Sequence, residues 1–350
     1  MADWFDESLL DDEDALARAD TVLRPLAEAG ARVRYEAAEV QDAIAAAVAA
    51  TKDSPPRAVI AGGPDSRLLR AVLEPSCPVP FVAWPHPGLP GWAGALDLVV
   101  VLAPDGSDPG SASAVAEAVR RGCQIVVACP PRSLVAEHAP GRHTTVLPTG
   151  SGDQLAIAVV MLEFLSEVDL GPHTDAEEVA KALDDVAVAC SPFRDLSVNP
   201  AKLVAMSLAE ATPLVWGGSV LAARAARRVA ESMRRSSGRT ALAGDAEHLL
   251  PVIASAGVQD VFDDPFSNGG APGAEPAELR PALVLLDDGS HDPSVRELRG
   301  RLVTEAEARR VRVETLSSTA PGEVACYASL LGQGRFAAAY LGLALGRPGA

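Results

Sequence analysis

Two successive α/β halves, each a parallel sheet wound with helices on both faces, are what this 350-residue sequence predicts. Three observations carry that expectation. Apolar runs rich in β-branched residues, at 96–103 and 124–129, read as strands buried on both faces, the mark of a parallel sheet. Between them, 114–121 repeats its apolar residues at helical spacing and stops at Gly122, which completes a β-α-β unit. The same local grammar, a short strand, two adjacent glycines, a serine and then a helix, occurs twice, at 57–73 and at 213–235. The length exceeds what one core fills, so two domains are expected, 1–165 and 175–350, joined by a link at 166–174.

The elements follow in order. A helix is expected over 11–29, with Asp11 or Asp12 as its cap, Leu16, Val22, Leu23 and Leu26 on its apolar face, and Gly30 as its stop. An Ala-rich helix at 39–50 leads to a strand at 57–61, the turn Gly62-Gly63-Pro64-Asp65-Ser66, a helix at 67–73 and a strand at 79–83. A rigid loop around His86 precedes the central unit. A strand at 144–147 and a long apolar helix at 154–165 close the first half. The second half opens with helices at 175–189 and 200–211, the latter capped by Asn199. A strand at 213–216, the turn Gly217-Gly218-Ser219 and a helix at 220–235 come next. They are followed by a weak strand at 240–242, a helix at 245–255 and a Gly/Pro/Ala-rich loop at 267–278. The end of the chain reads as strand 283–286, helix 295–309, strand 311–315 and helix 324–345.

Composition excludes several classes. A net charge of −17 argues against nucleic-acid and anionic-membrane partners. No apolar run reaches transmembrane length, because Glu163 interrupts the nearest one at 155–165. The acidic opening lacks the basic start and apolar core of a secretory leader, so a cytoplasmic protein is expected. Cys77, Cys123, Cys129, Cys190 and Cys326 are scattered without zinc spacing and read as small core residues in a reducing compartment.

Three places offer chemistry. In the loop 105–113, Ser107, Ser111 and Ser113 bring hydroxyls to the point where a strand's carboxyl end meets a helix amino end. That arrangement favours an anion by up to about 2 kcal/mol. Asp105 and Asp108 add like charge there, and the plain alternative is a polar turn with a serine capping the helix. The two Gly-Gly turns form the second place. Gly62 and Gly63 with Ser66, and Gly217 and Gly218 with Ser219, let a backbone approach a phosphate. The full dinucleotide fingerprint is absent, which favours tight turns. Downstream, Arg224, Arg227 and Arg228 share a helical face and read first as a solvated stripe. The third is Asp245 and His248, spaced to lie on one helical face. They could shuttle a proton between neighbouring carbons, or could simply sit on a surface helix. Asp287-Asp288 reads as a turn or cap, and no metal or other cofactor is expected.

The twofold Gly-Gly/Ser pattern and the Ser-rich loop resemble the SIS (sugar isomerase) fold. The order of elements is similar to that of the bacterial and archaeal bifunctional phosphoglucose/phosphomannose isomerases. The stretches that carry the likeness are 5–12, 263–266, 282–288 and, above all, the closing segment 327–344. The resemblance implies two SIS domains, each a three-layer αβα sandwich, in a homodimer with its active site between domains and subunits. It implies interconversion of fructose, glucose and mannose 6-phosphates without metal or nucleotide.

The family's motifs carry over unevenly. The first Gly-rich turn keeps Gly62, Gly63 and Ser66 around an inserted Pro64-Asp65. The phosphate loop aligns with 105–113 without its usual Ser-Gly-Asn-Thr order. An expected Pro-Arg pair is replaced by Ser151-Gly152-Asp153-Gln154. In the Glu-x-x-His-Asn motif, Asp245 stands for Glu and Leu249 for Asn, beside His248. The family's closing Lys has no counterpart in a sequence that ends Arg347-Pro348-Gly349-Ala350. A carboxylate withdrawn by one methylene forfeits much of a proton shuttle's roughly 10²–10⁴-fold contribution, and Ser or Gln cannot replace a bidentate Arg. The expectation is therefore a sugar-phosphate-binding protein that isomerises hexose 6-phosphates if Asp245 and His248 are active. The alternatives are a binding protein without turnover or a structural dimer.

Overall fold

The computed structural model describes residues 4–256 and 279–347. The stretch 263–266 and the loop 267–278 lie outside the described residues.

The chain divides into two compact units. The one formed by 28–184 and 321–325 is built on five parallel strands. These are β1 (Ala58–Gly62), β2 (Phe81–Trp84), β3 (Asp97–Leu102), β4 (Gln124–Cys129) and β5 (Thr144–Pro148), in the order β2-β1-β3-β4-β5. Ile60 pairs with Val82 on one side and Val99 on the other, and Val127 pairs with Val146. Every residue of β3 is buried, as its apolar run from Leu98 to Leu102 requires, and the buried Asp97 that opens it pairs with Arg57 at 2.8 Å. One face packs on α5 (Pro109–Arg121), where Ala112, Ala114, Val115 and Ala118 meet Ile60, Val99, Val101 and Ile125. Alternate residues face the other way. There α7 (Gln154–Glu167) packs against β3, and α3 (Ala29–Asp53) packs against β5 and α7. Ten residues of α7 are apolar and buried, so it is a core helix rather than an amphipathic one. Fully burying a side chain such as Ile157 or Phe164 contributes roughly 1.5–3 kcal/mol.

One expectation is corrected here. Gly30 does not stop a helix but lies in the first turn of α3. A Cβ at Gly30 would strike the Asp184 carboxylate and sit 2.6 Å from the Ala180 carbonyl oxygen. Gly30 is thus where α8 (Ala176–Ala189) touches the α3 backbone. Arg34 secures the same contact, 2.7 Å from Glu177 and 2.6 Å from Asp184. On α7, half-buried Glu163 accepts a hydrogen bond from the Ala176 N–H at 3.4 Å, and burial holds its carboxyl above the usual range.

The other unit comprises residues up to 27, 185–320 and 326–350. Its strands β6 (Ala211–Gly217), β7 (Leu242–Ala243), β8 (Arg280–Asp287) and β9 (Val313–Ser317) are parallel, in the order β7-β6-β8-β9. Helices α11 (Ala246–Ser255) and α12 (Pro293–Ala308) cover one face through Leu249, Ile253, Leu302 and Ala306, which meet Leu214, Trp216, Leu283 and Leu285. α10 (Val220–Ser237) packs on β6 and β8, and α13 (Glu323–Ala344) comes close enough that a Cβ at Gly334 would collide with Val229.

The amino-terminal helices α1 (Glu13–Arg18) and α2 (Asp20–Ala27), grouped with the first half on the sequence, pack in this unit. A buried lysine shows how. Lys202, on α9 (Pro200–Ser207), has no exposed side-chain surface. It donates to Asp11 at 2.5 Å, to the Pro192 carbonyl at 3.0 Å and to the Arg194 carbonyl at 3.2 Å. Its Nζ also lies 5.7 Å from the Tyr340 ring centroid. The Asp6 N–H donates to the Ala344 carbonyl at 2.8 Å. Among the described residues no helix is long and apolar enough to cross a membrane.

Candidate functional site

The strand order around β1 turns back between β1 and β3, and in such sheets ligands bind at the carboxyl ends flanking that switch point. Four of the predicted residues meet there. Gly62 ends β1. Gly63 has φ +85, donates its N–H to the Trp84 carbonyl at 3.0 Å and accepts from the Ser66 N–H at 3.2 Å. Ser66 opens α4 (Ser66–Leu73). A Cβ at Gly63 would lie 2.6 Å from the Ser111 hydroxyl, and one at Gly62 would lie 3.2 Å from the Ala114 Cβ. Gly63 is required by its backbone conformation, and α5 comes close enough to both glycines that a Cβ at either would press on it. Ser66 and Ser111 are each 1% exposed, and neither hydroxyl has a hydrogen-bond partner among the described residues. Leaving a buried hydroxyl unsatisfied costs about 1–3 kcal/mol, so these two, on residues that flank the Gly63 turn, are polar groups still open to a further partner.

The neighbouring loop differs from the sequence reading. A serine cap on α5 was the plain alternative, but the cap is Asp108, whose Oδ2 accepts from the Ser111 N–H at 2.6 Å. The helix begins at Pro109, which places Ser111 and Ser113 within its first turns and leaves Ser107 exposed in the loop beside exposed Asp105. α4 has no such cap. Asp65 makes no side-chain cap bond and instead accepts from the Gln154 side-chain amide. Asp153 caps α7 and pairs with Arg32 at 2.8 Å.

Two residues at this edge escaped the sequence reading. Thr149 is 2% exposed, and its hydroxyl has no partner among the described residues. Glu36, fully buried on α3, accepts from the Gly150 N–H at 3.0 Å and the Ser151 N–H at 2.5 Å. A Glu in an Ala-rich helix looks solvated, and nothing near it in sequence signals partners so far along the chain. Thr149 did carry a signal, a hydroxyl directly after a strand and before a glycine.

The second Gly-Gly turn is occupied from within. A Cβ at Gly217 would collide with the Ala222 backbone, and one at Gly218 with Val295 and the Trp216 ring. Ser219 caps α10 by accepting from the Ala222 N–H at 3.0 Å, and its hydroxyl donates to the Asp288 carboxylate. Asp287 accepts from the Gly289 N–H at 3.1 Å and from Arg299 at 2.5 Å, which matches the turn role read for this pair. The arginine stripe is only partly solvated. Arg227 is exposed, but Arg224 and Arg228 are half-buried, and Arg224 bonds to the buried Tyr327 phenol. Burial raises that phenol's pKa, while Arg224, Arg335 and Arg228 oppose the rise.

Asp245 and His248 stand at the amino end of α11, both exposed. The His248 N–H donates to the Asp245 carbonyl at 2.9 Å, but neither side chain has a hydrogen-bond or ion-pair partner among the described residues. No group of three or more His, Cys, Asp or Glu is placed to hold a metal among the described residues.

Comparison with known proteins bears on the fold. Residues 197–348 match the family described as the bacterial phospho-glucose isomerase C-terminal SIS domain. Among solved structures, the tagatose-6-phosphate ketose/aldose isomerase of Escherichia coli is 13% identical, with a TM-score of 0.63 over 94% of this chain and 93% of that one. The C-terminal domain of glucosamine-fructose-6-phosphate aminotransferase from Francisella tularensis is 11% identical, with a TM-score of 0.64 over 93% and 96%. At these identities the likeness is one of fold. No curated protein sequence matches the chain.

Proposed function

From the premise that this is a SIS-fold protein, resembling the bacterial phosphoglucose isomerases and matching their C-terminal domain over 197–348, we propose that it binds a hexose 6-phosphate without turning it over. The observation that carries the reading is the pair of buried, unpartnered hydroxyls of Ser66 and Ser111 around Gly63. The phosphate would take hydrogen bonds from both hydroxyls and from the uncapped amino end of α4, whose dipole favours negative charge. The sugar would extend past Ser107 and Ser113, and fructose, glucose and mannose 6-phosphates are the candidates. No metal or organic cofactor enters this scheme.

The other motif supports a lack of turnover. A proton shuttle needs its acid and base held against the substrate in a water-poor site, and in the single chain Asp245 and His248 are exposed, with no partner orienting either side chain among the described residues. Their spacing on α11 favours the second reading, an isomerase in which they still act. A homodimer belongs to the same proposal and is checked by sedimentation.

The test is a thermal-unfolding titration of the full chain with fructose 6-phosphate, with inorganic phosphate as the control. Ligand at a hundred times its dissociation constant stabilises by about 2.7 kcal/mol, which moves the midpoint by several degrees. A saturable shift beyond the control, lost in Ser66→Ala and Ser111→Ala, is expected. No shift with any of the three hexose phosphates overturns the reading. Appearance of glucose 6-phosphate from fructose 6-phosphate, abolished by Asp245→Ala, replaces it with the second.

A further inference from the structure

The crevice between β1 and β3 has two helix amino ends, and they are not equivalent. The α4 end has no side-chain cap bond. The α5 end is held by Asp108, whose carboxylate takes the Ser111 N–H at 2.6 Å. That amide belongs to the same residue whose buried hydroxyl is unpartnered and sits 2.6 Å from the Cβ position of Gly63. The one backbone donor best placed beside that hydroxyl is therefore already satisfied, and by a full negative charge. Neither Asp108 nor its loop neighbour Asp105 is ion-paired among the described residues, so the charge is not neutralised locally.

We propose that Asp108 is the affinity- and specificity-setting residue of this crevice, an internal carboxylate that competes with a ligand's phosphate for the α5 amino end. The inference rests on the reading of the crevice as a hexose 6-phosphate site. Its consequence is a site tuned by charge: the hydroxyls of Ser66 and Ser111 and the amino end of α4 still take the phosphate of a sugar derivative, but the Asp108 carboxylate holds its affinity below what those donors alone would give. Asp108 is a specificity determinant and takes no part in any bond-making step.

Asparagine separates the two roles of the residue. It caps helices as well as aspartate does, through a neutral amide oxygen, so Asp108→Asn keeps the fold of the loop and removes only the charge. Calorimetric titration of the full-length protein and of Asp108→Asn with fructose 6-phosphate, inorganic phosphate and uncharged fructose is the experiment. The expected result is a dissociation constant about tenfold lower for both phosphates in Asp108→Asn, equivalent to about 1.4 kcal/mol, with no change for fructose and at most a small fall in the melting temperature of the free protein, because the charge also favours the α5 amino end. Equal affinity of both proteins for fructose 6-phosphate overturns the role of Asp108 and leaves the sugar-phosphate reading standing. An equal gain for uncharged fructose also overturns it, because the effect is then not one of charge. Failure of both proteins to bind either phosphate overturns the sugar-phosphate reading, and the inference with it.

Discussion

Gly63→Ala is the perturbation that tests the crevice most directly. Two separate costs are written in its surroundings. Gly63 has φ +85, where a residue with a Cβ pays about 1–2 kcal/mol. The new methyl would also sit 2.6 Å from the Ser111 hydroxyl oxygen, and overpacking of this kind costs about 1–3 kcal/mol. Together they predict a loss of about 2–5 kcal/mol. The Ser111 Cβ, by contrast, lies 3.5 Å from the same position, an ordinary contact. Removing the hydroxyl in Ser111→Ala therefore relieves the clash and leaves the backbone strain, so in that background Gly63→Ala should cost only about 1–2 kcal/mol. Ser111→Ala by itself should be neutral or stabilising by about 1 kcal/mol, because it deletes a buried hydroxyl that has no partner. The assay is urea unfolding of the wild type, both single variants and the double variant by circular dichroism, with m-values compared across the set. A coupling energy of about 1–3 kcal/mol is expected. Additivity within about 0.5 kcal/mol would show that the Ser111 hydroxyl is not held against Gly63, and would refute the clash.

Two further predictions concern the supports of the fold. Burial raises the Glu163 carboxyl above its ordinary value of 4.5, so the unfolded chain releases this proton first as pH rises. The folded state therefore loses stability as pH climbs from about that value through the raised one, and none is lost below it. Glu163→Gln should consequently stabilise the protein at pH 7, with the gain fading below about pH 4.5, as read from melting temperatures across that range. At the amino terminus, Asp11→Ala leaves the buried Lys202 ammonium with only the Pro192 and Arg194 carbonyls, and since Asp11 itself is half exposed the change should cost about 1–3 kcal/mol. Adding Lys202→Met, which removes the buried charge altogether, should recover at least half of that loss. A double variant less stable than Asp11→Ala alone would refute the pairing.

Much of this architecture was legible in the sequence because it depends on local periodicity. The apolar run 98–102 within β3, the glycine stop after α5 at Gly122 and the apolar span that became α7 each carry their burial pattern within a dozen residues. The same periodicity locates the loops after β1 and β3, and so the place where we propose that a ligand binds. Gly30 misled because a glycine near a helix end usually stops it, whereas here its missing Cβ admits Ala180 and Asp184 of another helix. Choosing between Ser and Asp as the α5 cap was beyond local rules, since both residue types cap well.

The site itself was decided in three dimensions. The two Gly-Gly/Ser turns look alike along the chain, yet the hydroxyl of Ser219 is claimed by Asp288 while those of Ser66 and Ser111 have no partner. Glu36 lies outside the helix read at 39–50, and only the fold sets its carboxylate against the amides of Gly150 and Ser151. The physical reason is common to all three. Hydrophobic period is a property of neighbours in sequence, and it alone determines which segments become strands and helices and which faces they bury. Whether a buried polar group finds a partner depends on residues dozens or hundreds of positions away, and only the tertiary structure brings those together or leaves the group open for a ligand.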